Sequence, residues 1–75
     1  MKELLETIAR ALVQFPDDVS VQEEQKGDEI VLTLSVNEAD MGKVIGRSGR
    51  IAKAIRSVMS AAASRAQVHV SVDIR

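Results

Sequence analysis

Between Gly42 and Arg56 the sequence reads GKVIGRSGRIAKAIR, and the Gly46-Arg47-Ser48-Gly49 step at its centre constrains the fold more than any other stretch. The residues on either side follow a helical rhythm of apolar and polar positions. Two glycines three apart do not continue a helix cheaply, because glycine loses more backbone freedom on ordering than any other residue. The segment is therefore predicted as two helices joined by a tight turn. The first is short and runs to about Val44 or Ile45; the second runs from about Arg50 to Arg65, with Ile51, Ile55, Val58, Met59 and Ala62 on its buried side. Taken alone, such a turn can be a plain joint between helices.

Charge separates this turn from a plain joint. Residues 1–40 carry ten acidic and three basic side chains, residues 41–75 seven basic and one acidic, which together give the formal charge of −1. No acid occurs between Asp40 and Asp73. A cationic turn that opens a helix suits a phosphate backbone, through its exposed N–H groups and the positive end of the helix. The weakly acidic total does not argue against this, since the local field at a binding face decides the partner.

The rest of the chain supplies a frame. Residues 2–15 read as an amphipathic helix with Leu4, Leu5, Ile8, Leu12 and Phe15 near one face, ended by Pro16. Residues 19–24 alternate, with Val19 and Val21 inward; Lys26-Gly27-Asp28 is a turn; residues 30–36 alternate again, with Ile30, Leu32, Leu34 and Val36 on one face. Asn37 suits a helix N-cap, and Asp40, three positions on, suits the acid of a capping box. Residues 68–74 alternate once more, with Val68, Val70, Val72 and Ile74 inward. The order α-β-β-α-α-β, with a helical crossover between the last two strands, predicts an α/β (α+β) fold: a three-stranded mixed sheet with helices packed on one face. With 75 residues, no cysteine and Phe15 the sole aromatic, it is one small domain with an aliphatic core and no disulfide.

VIGRSGRIAKAI, Val44 to Ile55, resembles the KH-domain signature, in which an apolar pair precedes Gly-x-x-Gly and an isoleucine follows. The element order is that of the type II form. Length and the stretch GKVIGRSGRIAKAIRSVMSAAA resemble the small bacterial KhpA (YlqC-like) family, so residues 1–75 are expected to form a single type II KH domain. The resemblance implies a loop that clamps the backbone of single-stranded RNA beside an apolar groove. Carried onto this sequence, Gly46, Arg47, Ser48 and Gly49 form the clamp; Lys43 and Arg50 add charge; Ile45 and Ile51 line or support the groove; Lys53 and Arg56 are peripheral phosphate contacts. Ser48 stands where a basic residue or glycine is often found, which lowers the loop's charge. Without tryptophan or tyrosine, base stacking on protein rings is not a main source of affinity.

The resemblance also implies RNA chaperoning or post-transcriptional regulation in the bacterial cytoplasm. It implies self-association as a homodimer, or a heterodimer with a larger KhpB-like, two-domain RNA-binding protein. A module that mainly mediates dimerisation or other protein contacts is the alternative.

Other chemistry finds little support. The acidic pairs Asp17-Asp18, Glu23-Glu24 and Asp28-Glu29 read as turn and surface residues, so no catalytic residues are assigned. One histidine, His69, and no cysteine give no metal site, and no cofactor motif such as a phosphate-binding P-loop occurs. MKELLETIAR lacks the pattern of a signal peptide, and no apolar run approaches the roughly 20 residues of a membrane span.

Overall fold

A computed structural model describes residues 1–75. Helix α1 (Lys2–Leu12) leads through a single 3-10 turn at Pro16–Asp18 to strand β1 (Ser20–Lys26) and its hairpin partner β2 (Glu29–Ser35). A second 3-10 turn at Glu38–Asp40 opens the short helix α2 (Met41–Ile45). The Arg47–Gly49 turn then hands over to the long helix α3 (Arg50–Arg65), and strand β3 (His69–Ile74) closes the chain.

The sheet has the order β1-β2-β3. Strands β1 and β2 are antiparallel, from Lys26 opposite Glu29 to Ser20 opposite Ser35. Strand β3 runs parallel to β2, with Leu32 opposite Val72 and Leu34 opposite Ile74. The α2–α3 pair provides the crossover that parallel strands require. Period-2 alternation puts Val19, Val21, Leu32, Leu34 and Val72 on one face, where they meet Leu5 and Ala9 of α1, Val44 of α2, and Ile55 and Met59 of α3. The helices thus cover one face of a mixed sheet, as the alternation predicts.

Four details depart from the sequence expectation. Helix α1 stops at Leu12, with Val13 already extended, rather than reaching Phe15. The N–H groups of Gln14 and Phe15, which a longer helix would turn back on itself, instead donate to the Asp40 carboxylate at 3.0 and 2.9 Å. Phe15 consequently leaves the core face and is 42% exposed. Asp40 does not act in a capping box either; Asn37 caps alone, its Oδ1 accepting the Ala39 N–H at 2.8 Å. On α3 the buried stripe is Ala52, Ile55, Met59 and Ala63, while Val58 is 48% exposed. The strands also run slightly longer or earlier than expected, β1 to Lys26 and β2 from Glu29 to Ser35, so that they meet across the two-residue turn Gly27-Asp28.

Candidate nucleic-acid interface

Helix α2 is only five residues long, too short to be stable by its own hydrogen bonding. Its place is set by the fully buried Val44 side chain and by Asp40 immediately before it. The Gly-x-x-Gly turn hangs from its far end. Gly46 has φ 75° and ψ 173°, a region open essentially to glycine alone. Ser48 lies in the left-handed region at φ 57°, ψ 25°, and Gly49 follows at φ 73°, ψ 18°. The turn's own hydrogen bonds use the N–H groups of Gly46 (to Gly42 O, 2.9 Å), Gly49 (to Gly46 O, 3.1 Å) and Arg50 (to Arg47 O). The N–H groups of Arg47 and Ser48 take no part in those bonds, and both residues are exposed.

The two glycines are required for different reasons. A Cβ on Gly46 would fall 2.6 Å from Ile51 Cγ1, so the turn folds down onto the first apolar side chain of α3. A Cβ on Gly49 would meet nothing within 4 Å, and its positive φ is the constraint. Beside the turn, Ile51 also lines a groove of about 510 Å³ between α1 and α3, together with Leu4, Ile8, Leu12, Ala54, Ile55 and Val58; Arg50 is its one charged lining residue. Ile45 is half-buried at the end of α2 and packs against the core.

The cations expected at the site divide into three situations. Arg47, Arg50 and Lys53 are exposed and enter no ion pair. The ammonium of Lys43 donates to Asp40 Oδ1 at 3.4 Å and to Gln14 Oε1 at 3.5 Å, so it leans toward the end of α1. Arg56 donates its Nε–H to the Val72 carbonyl at 3.1 Å and ties α3 to β3.

Asp40 is the one buried polar side chain. Burial alone would raise its pKa, but the N–H groups of Gln14 and Phe15 and the Lys43 ammonium outweigh that and hold the carboxyl below the ordinary aspartate value. Nowhere do three His, Cys, Asp or Glu side chains converge as metal ligands would.

A family model described as KhpA/KhpB, KH domain, matches residues 2–74. The chain belongs to that KH-domain family. An RNA-binding protein KhpA of Clostridium acetobutylicum is 55% identical over 74 residues, spanning 99% of both chains. Another, from Halalkalibacterium halodurans, is 54% identical across 99% of this chain and 97% of its own. A third, from Chlamydia pneumoniae, is 45% identical across 99% and 95%. Among solved structures, Aquifex aeolicus Era bound to GDP and aluminium fluoride superposes with a TM-score of 0.66 at 16% identity, over 97% of this chain and 28% of Era's. Era in complex with MgGDPNP and a 16S ribosomal RNA fragment gives 0.59 at 18% identity, again over 28% of its length. At such identities the likeness to Era is one of fold.

Within this KhpA/KhpB frame the structure gathers Gly46, Arg47, Ser48, Gly49, Arg50 and Ile51 at one junction, with Lys53 about one turn further along α3. Two features escaped the sequence reading. The first is the role of Asp40. No local signal marked it: the Gln14 and Phe15 N–H groups need an acceptor from elsewhere only because α1 stops at Leu12, short of Pro16. The second is the α1 wall of the groove: the sequence places Leu4, Ile8 and Leu12 near one face of α1 without showing that they face Ile51 across a groove.

Proposed function

We propose that this chain is a noncatalytic RNA-binding protein that grips the backbone of single-stranded RNA at the Gly46–Gly49 turn, acting as one KH domain over residues 1–75. The observation that carries the reading is the turn itself. Three of its four residues are held at positive φ, the N–H groups of the exposed residues Arg47 and Ser48 lie outside its own bonding, and free cations follow on α3. A phosphate placed there meets backbone donors, Arg47 and Arg50, and the N-terminal end of a 16-residue helix. The close relatives named RNA-binding protein KhpA support the same ligand class.

In this reading Gly46, Arg47, Ser48 and Gly49 hold the strand, Arg50 and Lys53 extend the contact along α3, and Ile45 and Ile51 support the apolar floor. Lys43 and Arg56 contribute charge at the margins while engaged elsewhere. Duplex DNA is disfavoured because the five-residue α2 offers no recognition helix. With so few aromatic rings, affinity per domain is modest and sequence selectivity low, which fits an RNA chaperone or post-transcriptional regulator in the bacterial cytoplasm. No helix is long and apolar enough to cross a membrane.

The deciding experiment compares RNA crosslinking of the native protein with an Arg47→Asp, Ser48→Asp variant whose fold is verified. Crosslinks lost in the folded variant support the clamp. Equal crosslinking of both refutes this site, and background-level signal from both favours the second reading.

That second reading is a dimerisation or protein-interaction module, and the α1–α3 groove favours it. Leu4, Leu12 and Val58 are each more than a third exposed on its walls. A second copy of this chain, or a KhpB-like two-domain partner, would cover them. Pairing also complements RNA binding, since two weak clamps on one strand gain avidity.

A further inference from the structure

We propose that Asp40 is the positioning residue of the RNA clamp: a buried carboxylate that fastens the start of α2 to the end of α1 and so fixes where the Gly46–Gly49 turn is presented. The proposal rests on the clamp reading above and adds a residue outside the loop to it.

The turn has few other means of holding its place. It follows a helix of five residues, of which only Val44 is fully buried, with Ile45 half-buried against the core. At the start of that helix the Asp40 carboxylate is fully buried and makes three contacts: Gln14 N–H at 3.0 Å, Phe15 N–H at 2.9 Å and Lys43 Nζ at 3.4 Å. Two of these donors belong to the segment leaving α1, a partner 25 and 26 residues away in sequence. The third sits on α2 itself. One side chain therefore holds the trailing end of α1 and the first turn of α2 together, six residues before the clamp's first glycine. Charge-assisted bonds to backbone N–H groups are short and directional, so they fix a position more sharply than an apolar contact does. A buried carboxylate is a poor choice for stability alone, since well-packed apolar groups serve as well or better. Its use here is explained by placement.

The test exploits a difference of sign. Asp40→Asn keeps the shape, but its amide presents a donor where Asp40 receives donors. It also removes one negative charge near the site. If Asp40 acted only through its charge, the variant would bind RNA more tightly. If it acted only on stability, the folded variant would bind as the native protein does. Positioning predicts weaker binding. Affinity for a short, mixed-sequence, single-stranded RNA oligonucleotide is measured at a temperature where circular dichroism shows the variant folded, beside native protein and Arg47→Asp, Ser48→Asp. The expected result is roughly tenfold weaker binding for folded Asp40→Asn, with a salt dependence no shallower than the native protein's, because every cation remains and Lys43 loses its ionic partner. Equal or tighter binding overturns the proposal. Absence of binding by the native protein defeats the clamp reading, and this proposal with it.

Should Asp40→Asn not fold, native protein decides. RNA that engages a clamp coupled to this latch must tighten the latch in return. Amide hydrogen exchange at Gln14 and Phe15 is expected to slow on addition of the oligonucleotide by more than at the Gly27-Asp28 turn. Equal slowing, or none, overturns the proposal.

Discussion

Gly46 packs its backbone directly against the side chain of Ile51: a Cβ added there would lie 2.6 Å from Ile51 Cγ1 and 3.0 Å from its Cβ and Cδ1. This contact joins the turn between the helices to the first apolar residue of α3, and it separates the roles of the two signature glycines. Gly46→Ala meets both a forbidden backbone region and a collision. With about 1–3 kcal/mol for the backbone and a comparable amount for overpacking, the expected loss is about 3 kcal/mol or more in denaturant unfolding. Gly49→Ala meets only the backbone penalty, about 1 kcal/mol. Ile51→Ala in the Gly46→Ala background should restore part of the loss, but not the share that comes from φ and ψ.

Salt dependence of RNA binding separates cations that touch phosphate from those that do not. For single strands each phosphate contact contributes about 0.7 to the slope of log affinity against log salt. Arg47→Gln and Arg50→Gln are each expected to lower the slope by about that amount. Lys43→Gln should lower it less, because its ammonium is already shared between Asp40 and Gln14. Equal slopes for Arg47→Gln and native protein would remove Arg47 from the clamp.

Arg56 is expected to behave differently from Arg47. Its Nε–H donates to Val72 O on β3, the strand at the sheet's edge. Arg56→Ala is predicted to cost about 1 kcal/mol of stability. Arg56→Lys keeps the charge but loses the Nε–H donor, and should recover little of that stability. Thermal unfolding of the two variants checks it.

The strand alternation, the Asn37 cap and the glycine turn were legible because each is local. Val19 and Val21, Leu32 and Leu34 point to one face by period 2 whatever the rest of the chain does. The end of α1 was not legible in the same way. Leu12 and Phe15 continue the apolar rhythm, and only the carboxylate of Asp40, distant in sequence, draws the N–H groups of Gln14 and Phe15 out of the helix. Val58 was misplaced for a related reason. Helical period gave a broad apolar stripe, and the sheet takes up only the part centred on Ile55 and Met59. The turn and the cations beside it were readable because glycine and arginine carry their chemistry in sequence. The latch that places them depends on tertiary contact.

Acid stability should report Asp40. Its carboxyl titrates below the ordinary aspartate value because the Gln14, Phe15 and Lys43 donors outweigh the cost of burial. A pKa depressed by folding gives stability that is complete above the unfolded value, about 3.9, and is lost as pH falls through the folded value. Unfolding free energy of the native protein is therefore expected to decline below about pH 4. The gap between native protein and Asp40→Asn should be widest near neutrality and should narrow in acid. A gap independent of pH would mean that the ionised form is not what the three donors stabilise.

Val58 tests whether the α1–α3 groove is used. At 48% exposed on the solvent side of α3, it can be replaced by lysine without burying a charge, and lysine is the better helix former. Val58→Lys is therefore expected to change stability by less than about 0.5 kcal/mol. If two copies pair across the groove, the new ammonium is desolvated at the contact, and sedimentation should show the mass falling from two chains to one. Binding of a short RNA, which spans one clamp, should persist. Binding of a long RNA should weaken, since the avidity of two clamps on one strand is lost. Loss of short-RNA binding in a folded Val58→Lys variant would instead place the groove within the RNA site.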